Sequence, residues 1–235
     1  MAKSTLNLSD NCTIEPLTVG QEGEPLLMVD SYLSGVDQIR NYAIHINKFT
    51  PSKSFYPGIR MEVPFAYTAA LAQNFKTYIE DFFGLSLSDA KKAVSQYSIV
   101  TCQPEELKLF QKLPHFDAPS RNSLAIIHYL CDAPDSGTAL YRHKQSNYEY
   151  IDEIRVDGYM QQLKHQFNEP ANHPKGYILG DTNEYEVIKP FTAKYNRLIM
   201  YRGSSLHSGI IQPDYTFDPS PKTGRLTIAT FIEFS

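Results

Sequence analysis

The chain has 235 residues, of which 42% are hydrophobic and 20% charged, so it can bury a sizeable core and does not have the composition of a disordered segment. Its formal net charge is -4 with no Lys/Arg run, which leaves no electrostatic footprint for nucleic acid. No apolar run approaches the ~20 residues that cross a bilayer, residues 1–12 lack the apolar core of a secretory signal, and Cys12, Cys102 and Cys131 read as free thiols of a reducing cytoplasm, the last two as buried small hydrophobes.

Residues 1–29 read as lead-in strands and turns around Leu17-Thr18-Val19-Gly20 and Pro25-Leu26-Leu27-Met28-Val29. Asp30 has N-cap chemistry. Leu33, Val36, Ile39, Tyr42, Ala43 and Ile46 recur at three- and four-residue spacing, so 31–47 is expected to be an amphipathic helix. Pro51, Pro57, Gly58 and Pro64 make 50–66 loop or short extended pieces. A second helix is expected over 68–83, with Leu71, Phe75, Tyr78, Ile79, Phe82 and Phe83 on its apolar face. Gly84 is its expected stop, and 88–94 is expected to add a short helical turn.

From Tyr97 the period changes. Segments 97–102, 124–131, 138–142, 177–179, 185–188, 198–201 and 226–234 are mostly short and rich in β-branched or aromatic residues. Gly, Pro, Asn or Asp lie near most of their ends, the pattern of an antiparallel barrel or sandwich. A helix is expected within 147–166, carrying Tyr150, Ile154, Tyr159, Met160 and Leu163. The expected class is α+β, mainly β: a double-stranded β-helix, or jelly roll, with N-terminal supporting helices. One domain is expected, with 1–96 as support and 97–235 as the jelly-roll core.

Chemistry is suggested first by His115-Phe116-Asp117 together with His207. In extended backbone, residues two apart point the same way, and two imidazoles with one carboxylate can bind one face of an octahedral metal. A lone His-x-Asp triplet is more often a surface loop or a hydrogen-bonded pair, and seven histidines leave several partners to choose from. His45 reads as a helix-face residue. His143, His165 and His173 read as solvated, and His128 as a core histidine or a supporting partner of a ligand. The last strand strengthens the metal reading. Arg225 and Thr227 lie on one face of it, and Leu226, Ile228 and Ile232 on the other. A buried guanidinium needs an anion, and its fork fits a carboxylate bidentately. The anion is either an internal acid such as Glu233 or the far end of a dicarboxylate bound at the metal.

These pieces resemble, in order, the prolyl-4-hydroxylase-like branch of the 2-oxoglutarate/Fe(II)-dependent oxygenases, as found in a bacterial subgroup of that class. The resemblance runs from about Tyr97 to Ser235. It rests on Val100-Thr101-Cys102-Gln103-Pro104, His115-Phe116-Asp117, Ile126-Ile127-His128-Tyr129-Leu130, Ser136-Gly137-Thr138-Ala139-Leu140, Arg197-Leu198-Ile199-Met200-Tyr201, His207, Gln212-Pro213 and Arg225-Leu226-Thr227-Ile228. It implies that His115, Asp117 and His207 ligate Fe(II). It further implies that Arg225 binds the distal carboxylate of 2-oxoglutarate, with Thr227 and Tyr129 in support. Two features depart from the family pattern. Gln103 stands where the family often has a Tyr, and the segments 143–194 and 209–224 are longer than usual.

The implied activity is that of a cytoplasmic dioxygenase. It would use Fe(II), 2-oxoglutarate and O₂ to hydroxylate a small molecule, amino acid or peptide, with release of succinate and CO₂. Asp117 favours hydroxylation over halogenation, because related halogenases vacate the carboxylate position. Two alternatives stay open: a non-catalytic jelly-roll protein that binds metal or carboxylate, and, ranked lower, a cupin-like metalloenzyme. Nucleic-acid and membrane partners are not expected, and the oligomeric state is not legible.

Overall fold

In the computed structural model, which describes residues 6–235, strands form two antiparallel sheets. The larger holds β1 (Thr13–Val19), β2 (Glu24–Asp30), β3 (Thr50–Pro51), β4 (Gly58–Glu62), β5 (Ala90–Val100), β6 (Ser123–Tyr129), β9 (Leu198–Arg202) and β11 (Leu226–Phe234). Their spatial order is β1-β2-β9-β6-β11-β5-β4-β3. The smaller sheet holds β7 (Ala133–His143), β8 (Tyr185–Ala193) and β10 (His207–Ile210) in the order β10-β7-β8. The two face each other as a jelly roll. Strands that begin before residue 97 lie in the larger sheet beside strands that follow it.

Side-chain alternation explains how both faces of the larger sheet are filled. In β6, Leu124 and Ile126 join the core under α1 (Val36–Ile46) and α2 (Phe65–Asn74), while Ala125, Ile127 and Tyr129 face the space between the sheets. β11 repeats the pattern: Leu226, Ile228 and Ile232 turn to the helices and Phe231 turns inward. A third helix, α3 (Val156–Gln166), covers the outer side of the smaller sheet through Tyr159 and Leu163 against Tyr141 and Tyr185. Among the described residues no helix is long and apolar enough to cross a membrane.

Several local expectations are corrected. The first helix starts at Val36 with Gly35 before it, not after Asp30. Asp30 still pairs in the strand ladder, and its carboxylate is taken by Arg197 (2.6 Å) and Lys194 (3.2 Å). The second helix runs over 65–74, earlier than expected, and is followed by a π turn at Tyr78–Phe82. Leu71, Phe75, Ile79 and Phe83 are buried as expected, and Gly84 closes the segment at φ +67°. Residues 90–94 belong to β5 rather than a helical turn, because β11 extends far enough to pair with them. Residues 177–179 form no strand; the Tyr177 hydroxyl donates to the Cys102 carbonyl (2.8 Å) and Ile178 packs in the α3 cluster. Cys102 and Cys131 are half-buried.

Candidate active site

His115 and His207 exchange both backbone hydrogen bonds, each 2.9 Å, as an isolated antiparallel bridge. Directly opposed residues of such a pair project to the same side. Asp117 lies two residues on, so its side chain joins them, and its own N–H is fixed by the Gly203 carbonyl at 2.7 Å. One ligand atom from each of His115, Asp117 and His207 lies within 4.8 Å of the others. The His207 Nε2–Asp117 Oδ2 separation is 3.6 Å and the imidazole centroids are 4.3 Å apart. His207 Nδ1 meets the Ser205 carbonyl at 2.9 Å, which places its proton there and turns the Nε2 lone pair toward Asp117.

His207 is buried, whereas His115 and Asp117 keep accessible surface; the Asp117 side chain is 21% exposed. The surrounding protein nonetheless desolvates both. Desolvation dominates their electrostatics. Burial lowers the His115 pKa to about 4, reinforced by His207 and opposed by Asp117. Burial also lowers that of His207 to about 4, against the Ser205 hydrogen bond. Burial raises the Asp117 pKa to about 6, opposed by His115 and Arg60. At neutral pH the set is two neutral imidazoles and a mostly ionised carboxylate, the protonation a metal requires. Open on one side and drawn from N and O donors, the cluster could hold a divalent ion of the Fe(II) type.

A second polar centre lies further along the inter-sheet space. Arg225 is buried, and its donors reach Ser136 Oγ (2.7 Å) and the Gly137 carbonyl (2.7 Å) on β7. No carboxylate among the described residues pairs with it. Glu233, the expected internal partner, sits 4.0 Å from Lys92 instead. Glycine is needed at 137 for β7 to pack on β8, since a Cβ there would stand 1.9 Å from the Phe191 carbonyl. The Tyr129 hydroxyl donates to Thr138 Oγ1 (2.7 Å), and the Arg225 guanidinium lies 5.7 Å from the Tyr129 ring. Thr227 pairs with Tyr129 across the ladder, and its hydroxyl donates to the Ser98 carbonyl (3.3 Å). Gly137 is opposite Ile210 and Leu140 is opposite His207, so at ~3.3 Å per residue Arg225 is anchored ~10 Å along β7 from the His115–Asp117–His207 cluster. That is the reach of a short dicarboxylate.

Residues 10–232 match the model described as "Family of unknown function (DUF6445)". The chain belongs to the DUF6445 family. No curated protein matches it significantly in sequence. Among solved structures, this DUF6445 chain is similar to the non-heme alpha ketoglutarate dependent carbocyclase SnoK from nogalamycin biosynthesis, with 9% identity, 94% of this chain and 87% of that one covered, and a TM-score of 0.50. It is also similar to a Pseudomonas putida prolyl-4-hydroxylase, with 10% identity, 95% and 92% covered, and a TM-score of 0.45. HygX from Streptomyces hygroscopicus, solved with nickel, 2-oxoglutarate and hygromycin B bound, matches at 11% identity over 93% and 84%, TM-score 0.44. The fold is that of the jelly-roll 2-oxoglutarate oxygenases. At such identities these likenesses show the fold alone.

The structure brings the six expected site residues into two neighbouring groups: His115, Asp117 and His207, then Arg225, Thr227 and Tyr129. His128 points to the opposite face of the sheet from Tyr129; it is fully buried under the helices, between the Tyr67 hydroxyl and Asn196 Oδ1, each 3.1 Å away. His45 and His165 are exposed and His173 half-buried. His143, expected to be solvated, is buried against Ser146 (2.8 Å) and Gln166 (3.1 Å), because α3 packs over it. Tyr56 and Arg60 were not legible as site residues. The Tyr56 hydroxyl is buried with no hydrogen-bond partner, within electrostatic reach of Arg225 and Arg60, and the Arg60 guanidinium stacks 4.3 Å from its ring. Both long segments also arrive here: Tyr177 from one, Tyr215 and Phe217 from the other, packed with Tyr56. Tyr215 Oη accepts the Arg225 backbone N–H at 3.0 Å.

Proposed function

We propose that this chain is a 2-oxoglutarate/Fe(II)-dependent dioxygenase that hydroxylates a small molecule, amino acid or peptide. The observation that carries the reading is a buried guanidinium without an acidic partner in the same inter-sheet space as a two-histidine, one-carboxylate cluster. A buried cation left with neutral acceptors alone is costly. A dicarboxylate reaching from the cluster would complete it.

In this reading His115, Asp117 and His207 hold the ion. Arg225 and the free Tyr56 hydroxyl receive the distal carboxylate, and Thr227 joins them by turning its hydroxyl from the Ser98 carbonyl. When bound, the ion and co-substrate supply oxidative chemistry: O₂ is consumed, 2-oxoglutarate becomes succinate and CO₂, and a substrate C–H becomes C–OH. The chain's own part is positional. Tyr201 packs edge-on to the His207 ring at 4.9 Å and limits its rotation. Tyr177, Tyr215 and Phe217 wall the carboxylate end from water. The test is anaerobic addition of Fe(II) and 2-oxoglutarate to the purified chain. A metal-to-ligand charge-transfer band is expected, and His115→Ala abolishes it. A flat spectrum, or a band indifferent to His115→Ala, overturns the assignment.

A further inference from the structure

An open hollow of about 680 Å³ lies at the β4–β3 edge of the larger sheet. A volume of this order suits a small molecule rather than a polymer. Its lining includes Lys48, Ser52, Lys53, Arg60, Glu62 and Gln96. Three of its side chains are cationic and one is acidic, a positive recess in a chain whose net charge is -4. Such a recess concentrates anions.

Arg60 connects the hollow to the cluster. Arg60 pairs with Ser98 across the ladder, and Ser98 pairs with Thr227, so it shares the inward face of the sheet. Its Nη1 donates to Gln96 Oε1 (3.1 Å) and more weakly to Ser54 Oγ (3.5 Å). It also interacts electrostatically with Asp117. No carboxylate of the described residues comes within ion-pair distance, and its buried Nε has no partner. A guanidinium presents five donors in a planar fork matched to a carboxylate or phosphate. Here Gln96 and Ser54 use only part of the fork, and Arg60 lines the hollow.

We infer that this hollow is the substrate site and that it selects a small molecule bearing a carboxylate or phosphate, anchored on Arg60. Lys48 and Lys53 steer the anion at the rim. Glu62 disfavours a polyanion and leaves room for a single negative group. The inference rests on the proposed oxygenase reading for the word substrate; the anion site itself does not. The experiment uses the metal-free, ¹⁵N-labelled full chain titrated separately with N-acetylglycine and methyl phosphate. Saturable shifts are expected at the Arg60 side chain and the amides of Ser52 and Gln96. Arg60→Gln should weaken binding at least tenfold, and Arg225→Gln should leave it within twofold. Response to one probe only, or to both, supports the site and names its anion. Shifts confined to Arg225, no saturable shift with either probe, or unchanged affinity in Arg60→Gln overturns it. If Arg60→Gln fails to fold, the Lys48→Gln/Lys53→Gln double variant decides, with at least a threefold loss expected and no loss refuting. Anion binding at Arg60 in a protein that gives no Fe(II)/2-oxoglutarate band would refute the oxygenase reading alone.

Discussion

Replacing Tyr56 with Phe separates a structural tyrosine from one poised for a ligand. The ring, and with it the Arg60 stack at 4.3 Å, survives the change; only the hydroxyl is lost. That hydroxyl is buried and has no hydrogen-bond partner among the described residues. An unsatisfied buried polar group costs ~1–3 kcal/mol. Because the residue as a whole is half-buried, removing the group should stabilise by about 1 kcal/mol, the low end of that range. For a chain of this size that is ~2–4 °C in Tm. With 2-oxoglutarate bound, the same hydroxyl would donate to an anionic carboxylate, a bond worth ~1.5–3 kcal/mol. Its loss should weaken binding ~10–100-fold. Scanning calorimetry of the free protein and isothermal titration of the Zn(II)-loaded protein with 2-oxoglutarate read the two effects. The expected signature is opposite in sign: higher Tm, poorer affinity. A lower Tm with unchanged affinity would show that Tyr56 is an ordinary packing residue and that the carboxylate pocket closes without it.

Three further outcomes follow from the packing. His207→Ala should abolish the stabilisation by added Zn(II), which for the wild type at 100 times Kd is ~2.7 kcal/mol by mass action; an equal Tm rise in the variant would detach His207 from the metal. Burial lowers the His128 pKa to about 4, opposed by its bond to Asn196, so the unfolded chain binds this proton below 6.5 while the folded chain does not until about 4. The stability His128 allows is complete above pH 6.5 and falls by ~1.4 kcal/mol per pH unit between 6.5 and about 4. Denaturant melts of wild type and His128→Gln should therefore differ in slope over that window, and parallel curves would contradict the burial argument. Glu149 accepts from Arg142 Nε (2.8 Å) and from the Gln21 and Glu22 N–H groups (2.9 Å each), so Glu149→Ala leaves Arg142 with Glu186 alone (2.7 Å) and strands two amides. A loss of ~2 kcal/mol or more is expected in urea unfolding from the two unpaired amides, and a loss below ~1 kcal/mol would mean the loop re-pairs with water.

Legibility tracked the range of the interactions involved. β11 could be read within one residue because its two faces differ in kind: Arg225 and Thr227 against Leu226, Ile228 and Ile232, a period-two signal contained in the strand itself. Gly84 could be read because a positive φ after an apolar helix face is a local demand. Asp30 could not, since its N-cap chemistry was outbid by Arg197, a residue far along the chain. His143 looked solvated from its neighbours in sequence and is buried by a helix that starts well after it. The His115–His207 bridge is non-local in the same way. The triplet suggested two ligands, but the pairing that aims the third exists only once β10 lies on β7. Tyr56 and Arg60 were hidden by their surroundings: Pro51, Pro57 and Pro64 mark the segment as loop, and a five-residue strand inside it carries too short an alternation to register.

The departure at Gln103 now has a physical account. The Gln103 side chain is exposed, and the residue caps a short turn in which its N–H donates to Glu106 Oε2 at 2.8 Å. It is therefore turned to local work and offers nothing to the inter-sheet space. Tyr56 brings a hydroxyl toward Arg225 from a different element, and the two long segments supply the aromatic residues that bury it. In the proposed reading Tyr56 serves where the resembled family uses a tyrosine at the Gln103 position, because a carboxylate selects for donors at given positions in space rather than for the strand that carries them. On this reading the added length at 143–194 and 209–224 has a definite use: Tyr177, Tyr215 and Phe217 exclude water from a guanidinium whose protein partners are neutral, and so strengthen its hold on a carboxylate when one is bound.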